Sequence, residues 1–198
     1  MTGPPPEASL AAVIAAGGIA VIGTDTVYGL CCDAVRADAV ARLAALKGRS
    51  PDKPSAVAFF ALEAALEALP ELGARTRAAL RALLPGPVTV LVPNPAARFA
   101  LAGGGELLGV RVIDAPLDPG RPVLLTSANR SGGSEARTLA EVPRQIRAGA
   151  ELSLDCGELP GTPSTVVDLG ALEATGSWRI VREGALARRD LERALVGS

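Results

Sequence analysis

Ile19-Ala20-Val21-Ile22-Gly23-Thr24-Asp25-Thr26-Val27-Tyr28-Gly29-Leu30 joins an apolar run to a polar one. Ile19 to Ile22 reads as a buried strand, short and uncharged between glycines. Hydroxyls and an acid follow at its end. Such a cluster can hold a polar ligand, or it is an Asx or ST turn leading into the next strand. The same grammar recurs at Val123 to Thr126, an apolar strand that runs into Ser127-Ala128-Asn129-Arg130-Ser131-Gly132-Gly133. Amide and hydroxyl groups there suit hydrogen bonding to a nucleotide, or form a plain Asn/Gly turn. Pro163-Ser164-Thr165-Val166-Val167-Asp168 is a third instance, with Arg182-Glu183-Gly184 one strand later.

Between these points strands and helices alternate. Leu10, Val13 and Ile14 share a helix face that ends at Gly17-Gly18. Val40, Leu43 and Leu46 mark a helix from about Asp38 to Lys47-Gly48-Arg49. Ala56 to Phe60 is strand-like, and helices follow over about 61–69 and 74–84. Pro85-Gly86-Pro87 stops the second, and Val88 to Val92 is a β-branched strand. Leu107 to Ile113, Thr165 to Leu169 and Trp178 to Val181 are further strands. Thr138-Leu139-Ala140-Glu141 is a capping box expected to open a helix, and 187–196 is a terminal helix. The mixture predicts an α/β or α+β domain with a mixed sheet. Residues 1–7 are read as a disordered arm and 8–198 as one domain.

Composition removes several chemistries. The 198 residues contain no histidine, which excludes a Ser-His-Asp triad, a Cys-His pair and an imidazole base. Ser127 therefore has no histidine to activate it. Cys31, Cys32 and Cys156 form no C-x-x-C, so a zinc or thioredoxin-like site is unsupported and a reducing cytoplasm fits best. A net charge of −1 argues against tight non-specific nucleic-acid binding. Ala8 to Thr24 is uncharged but shorter than the roughly 20 apolar residues a membrane span needs.

The cations are informative. Of 20 Lys+Arg only Lys47 and Lys53 are lysine, which suggests positions where arginine will not serve. With Arg49 they lie on Lys47-Gly48-Arg49-Ser50-Pro51-Asp52-Lys53-Pro54, a loop suited to a polyphosphate. Alternatively Lys47 and Arg49 only complement a helix C-terminus. The loop is not a Walker A sequence.

These clusters, in this order, resemble the YrdC family of threonylcarbamoyl-AMP synthases. The pieces that carry the resemblance are Thr24 to Leu30, Lys47-Gly48-Arg49, Lys53-Pro54, Pro85 to Thr89, Val110-Arg111-Val112, Ser127 to Gly132 and Ser164 to Asp168. The resemblance implies a twisted mixed β-sheet with flanking helices and a concave, cation-lined cavity. It implies L-threonine, bicarbonate and ATP as substrates, with Mg²⁺, and threonylcarbamoyl-AMP and pyrophosphate as products. A separate threonylcarbamoyl-transferase complex then modifies N6 of adenosine 37 in tRNA. The resemblance also raises an alternative, a paralogue that binds nucleotide, tRNA or double-stranded RNA without threonine-dependent catalysis. Lys47, Arg49, Lys53, Arg111, Arg130 and Arg182 would then face one cavity.

Carried over position by position, the resemblance implies that Lys47 and Arg49 hold phosphates and that Ser127 and Asn129 complete the motif on the nucleotide. Lys53 and Arg182 would also contact ATP. Thr26, Ser164 and Arg111 would bind threonine, Arg111 through its carboxylate. No protein side chain is implied as a metal ligand. The chain departs from the family in three places: Gly23 stands where many relatives have proline, Ala58 where some have histidine, and the segment after Arg111 is short.

Arg111 also stands out from its strand alone. Val110 and Val112 place the apolar face opposite, so Arg111 projects to the other side, where a buried guanidinium needs an anionic partner. Glu106 and Asp114 lie at odd offsets and belong to the other face. The partner is a ligand, or else a distant Asp or Glu in a structural salt bridge.

Overall fold

The computed structural model describes residues 6–50 and 53–195. In chain order the elements are α1 (Pro6–Ala15), β1 (Ile19–Gly23), β2 (Tyr28–Asp33), α2 (Ala37–Lys47), β3 (Ala56–Phe59), α3 (Leu62–Ala68) and α4 (Ala74–Leu83). They continue with β4 (Val88–Pro93), β5 (Leu107–Val112), β6 (Val123–Ser127), α5 (Arg144–Gly149), β7 (Leu152–Ser153), β8 (Thr165–Asp168), α6 (Leu172–Thr175), β9 (Arg179–Arg182) and α7 (Arg188–Leu195). Most of the expected arm, residues 1–5, lies outside the described residues, and α1 begins at Pro6.

One mixed sheet runs in the order β7-β1-β2-β6-β3-β5-β4-β8-β9. Neighbours β1/β7, β3/β5 and β4/β8 are parallel, and the other pairs are antiparallel. The two faces of this sheet differ in what covers them. Ile19 and Val21, Tyr28 and Leu30, Val57 and Phe59, Val88 and Val90, and Leu108 and Val110 all point into the main core. Leu43 of α2, Leu66 of α3, Leu80 of α4 and Leu191 of α7 close that core. By the period of two, the intervening residues emerge on the other face. There Ala20, Ile22, Cys31, Ala58 and Val123 pack under Leu10 and Ile14 of α1. That cover reaches only part of the face, and the remainder is where the polar clusters gather.

Lys47-Gly48-Arg49 closes α2 as expected. Gly48 takes φ 61°, and its N–H and that of Arg49 bond to Ala45 O and Ala44 O. The capping box behaves differently. Residues Leu139–Glu141 form a single 3₁₀ turn, and the Thr138 side chain makes no cap bond. Glu141 Oε2 instead accepts from Arg137 N at 2.7 Å. Pro143 has no N–H to continue a helix from Leu139, so α5 starts only at Arg144, after it. Among the described residues no helix is long and apolar enough to cross a membrane.

Candidate functional site

A cavity of about 600 Å³ opens on the face that α1 leaves uncovered. Its floor is the alternate set of strand residues: Gly29, Ala56, Thr89, Leu91, Gly109, Leu125 and Val166. Gly109 adds no side chain to that floor, and a Cβ there would make only ordinary contact, 3.5 Å from Ala56 Cα and from Thr89 Cγ2. Nine of the residues singled out in the sequence line it: Thr26, Lys47, Arg49, Lys53, Arg111, Ser127, Asn129, Ser164 and Arg182.

Lys47 is 3% exposed although it sits in the last turn of α2. Its ammonium does not return to the helix carbonyls. It donates to Ser127 O and, at 3.0 Å, to Asn129 Oδ1. Ser127 Oγ donates to the same Asn129 oxygen at 2.6 Å, and Asn129 Nδ2 donates to Gly133 O. Ser131 N bonds to Lys47 O at 3.1 Å, which ties the loop after β6 to the end of α2. Burial, and then the neighbouring charge of Arg49, pushes the Lys47 ammonium down to about 8. Glu135, also in the cavity lining, works in the opposite direction.

The Arg49 guanidinium links two segments. Its Nη1 donates to Thr126 Oγ1 at 3.1 Å, and Nε and Nη2 reach Lys53 O at 3.3 and 3.2 Å. Nη2 also reaches Pro54 O. Lys53 is thereby held at the cavity, where its ammonium has no hydrogen-bond or ion-pair partner among the described residues. Arg130 departs from expectation. It bonds to Gln145 Oε1 at 2.7 Å and is not part of the lining, because its side chain leaves the loop toward α5.

A second group surrounds Arg111. The guanidinium, 6% exposed, leaves β5 on the cavity side while Val110 and Val112 enter the main core. Its partner is the distant acid that the strand could not supply. Arg111 Nη2 donates to Asp25 Oδ1, and lies 3.4 Å from Thr26 Oγ1. Asp114 is nearer than its strand offset implied: β5 ends at Val112, so the alternation no longer governs it, and its charge acts on Asp25. Thr24 forms an ST turn, its Oγ1 accepting from Thr26 N and Val27 N at 3.2 and 3.3 Å. The turn reading holds, and Thr24 and Thr26 also line the cavity. Ser164 Oγ lies 2.9 Å from Thr89 Oγ1, and Arg182 Nη2 donates to Ser164 O at 2.6 Å. Gly184 permits this, since a Cβ there would meet Pro163 O at 2.4 Å.

Two of the three departures have structural explanations. Gly23 donates its N–H to Cys156 Sγ at 3.3 Å, which proline cannot do, and a Cβ would stand 2.4 Å from Cys156 Cβ. Ala58 is fully buried in the second cluster, between Arg111 and Val123 in the sheet, and does not line the cavity. Asp25 and Glu135 were not singled out as site residues. Asp25 was visible as the only acid in its motif, whereas Glu135 carried no signal.

A family model described as Telomere recombination (Sua5/YciO/YrdC) matches residues 12–184. A protein of Halorhodospira halophila named threonylcarbamoyl-AMP synthase is 36% identical over 190 residues, covering 90% of this chain and 92% of that one. The crystal structure of P. abyssi Sua5 complexed with L-threonine superposes with a TM-score of 0.83 at 27% identity, over 97% of this chain. The chain spans 58% of that protein's length. E. coli YciO, 20% identical with a TM-score of 0.77 over 95% of both chains, shares the fold.

Proposed function

The chain belongs to the Sua5/YciO/YrdC family, and from that premise we propose that it is a threonylcarbamoyl-AMP synthase. The observation that carries the proposal is the convergence of nine side chains from six stretches of chain on one cavity, in two chemically distinct groups. Lys47, Arg49, Lys53, Ser127 and Asn129 form a cationic, hydrogen-bonding wall suited to the nucleotide and its phosphates. Thr26, Arg111 and Ser164 form a smaller pocket suited to an amino acid with a hydroxyl. Arg182, which donates to Ser164 O, also lines the cavity and in this reading contacts ATP.

In this reading the threonine amine takes up CO₂ from bicarbonate to give a carbamate. A carbamate oxygen attacks the α-phosphorus of ATP, the bond to the bridging oxygen breaks, and pyrophosphate leaves. No protein nucleophile is needed, consistent with a Ser127 hydroxyl committed to Asn129. Positioning and cation stabilisation of the leaving phosphates supply the catalysis. Among the described residues no group of three or more Cys, Asp or Glu could hold a metal. A Mg²⁺ accompanying the nucleotide would be held by its phosphates and by water, with Glu135 the acid of the cavity lining. The product serves a separate transferase complex acting on tRNA, and the cytoplasm is the compartment that supplies ATP and tRNA.

The test is pyrophosphate release from ATP and bicarbonate, with and without L-threonine and with serine as control. Threonine-dependent release is expected. Release that ignores threonine would overturn the assignment and favour the nucleotide-binding paralogue.

A further inference from the structure

The Arg111–Asp25 pair is incompletely satisfied. Asp25 Oδ1 takes Arg111 Nη2, but Asp25 Oδ2 and Arg111 Nε are both buried without a hydrogen-bond partner. Native proteins rarely leave buried polar atoms so, and a pair of opposite orphans calls for an explanation. One is an acceptor that is negative and the other a donor that is positive. The Thr24 turn fixes the backbone that carries Asp25, whose carboxylate stands behind the lining and acts on the pocket through its bond to Arg111.

Charge sharpens the point. The rest of the cavity is cationic, with Lys47, Arg49, Lys53 and Arg182 set against Glu135. Standing alone, Arg111 would be a fifth cation and would attract any anion, including the phosphates of ATP. Asp25 cancels that charge, and Asp114 adds a further negative field beside it. The pocket around Arg111 is thus close to neutral while the Lys47 wall is strongly positive. A ligand that complements the first carries one negative and one positive group, and a polyanion belongs at the second.

We propose that Asp25 is the residue that makes the Arg111 pocket select a zwitterionic α-amino acid over simple carboxylates and phosphates. This rests on the reading that Arg111 receives the substrate's carboxylate. Arg111 attracts the carboxylate, and Asp25 makes that attraction profitable only for a ligand that also brings an ammonium.

Calorimetry with the whole protein and three probes tests it: L-threonine, its des-amino analogue β-hydroxybutyrate, and threonine amide. In the wild type each analogue, lacking one charge, binds at least tenfold more weakly than threonine. In Asp25→Asn the preference for threonine over β-hydroxybutyrate falls at least tenfold, and Asp25→Glu restores it. Equal weakening of both ligands in Asp25→Asn would overturn the proposal, since Asp25 would then only prop Arg111. A wild type that binds β-hydroxybutyrate as tightly as threonine would overturn it too, and decides the matter if Asp25→Asn does not fold. Threonine that binds selectively yet triggers no pyrophosphate release counts against the synthase reading alone. Threonine that triggers release but is bound no better than its des-amino analogue counts against the charge selection alone.

Discussion

Lys47 offers the sharpest test, because its titration falls near the working range of the enzyme. Burial holds its ammonium down to about 8, against 10.5 for a free lysine. With that value about nine-tenths of the side chain is charged at pH 7 and about one-tenth at pH 9. If the ammonium is the group that meets the phosphates, kcat/KM for ATP should fall about tenfold between those two pH values. That quantity reports the enzyme before ATP binds, whose ammonium faces Arg49, Lys53 and Glu135. The assay is pyrophosphate release at saturating threonine and bicarbonate, with wild type and Lys47→Arg measured side by side. Arginine stays protonated throughout, so the variant, slower overall, should lose the step. The ratio of the two profiles cancels the titration of threonine's own amine. A wild-type profile flat to pH 9, or a fall of equal size in Lys47→Arg, would refute the phosphate role. Stability should move the other way. The unfolded chain holds more protons than the native one between about 8 and 10.5, so Lys47 makes stability rise with pH across that window.

Other predictions follow from single contacts. Arg111→Lys keeps a charge opposite Asp25 but loses the fork, so the apparent threonine constant should rise at least tenfold, about 1.4 kcal/mol, while that for ATP moves far less; unchanged threonine dependence would rule out the role. Arg49→Ala removes the guanidinium that joins Lys53 O to Thr126 Oγ1, and turnover should drop by orders of magnitude with little change in melting temperature. A loss of folding to match would mean that Arg49 is chiefly a staple. Gly23→Ala puts a Cβ 2.4 Å from Cys156 Cβ and should cost about 1–3 kcal/mol by thermal melting, with Cys156→Gly as the second-site rescue. A melt identical to wild type would show that the loop simply moves away.

The secondary structure was legible wherever local physics decides it. Val88 to Val92 is a β-branched run after a Pro-Gly-Pro stop, Leu107 to Val112 is a short apolar run, and Gly48 ends α2 because a left-handed residue is needed there. Local pattern failed where a neighbour intervened, as when Pro143 cut the helix expected from Thr138 and Glu141. The types of chemistry were legible too. Cations, hydroxyls and amides cluster where apolar runs end, with Arg111 inside β5 the exception, and the missing histidine removed the usual rivals.

What tertiary structure alone decided is which of these groups meet. Ile19 to Ile22 is apolar on both sides, so nothing in the run says which face carries α1 and which faces the main core. Arg111 advertised its need for an anion, but Asp25 lies 86 residues away and reaches it only because β1, β2, β6, β3 and β5 are adjacent in the sheet. Arg130 and Lys47 look alike as cations beside the same loop, yet one points at Gln145 and the other at Asn129. The physical reason is the same in each case. Burial and hydrogen bonding along a segment depend on near neighbours, which a sequence displays, whereas the charge a cavity carries depends on pairings across the sheet, which only the packed chain creates.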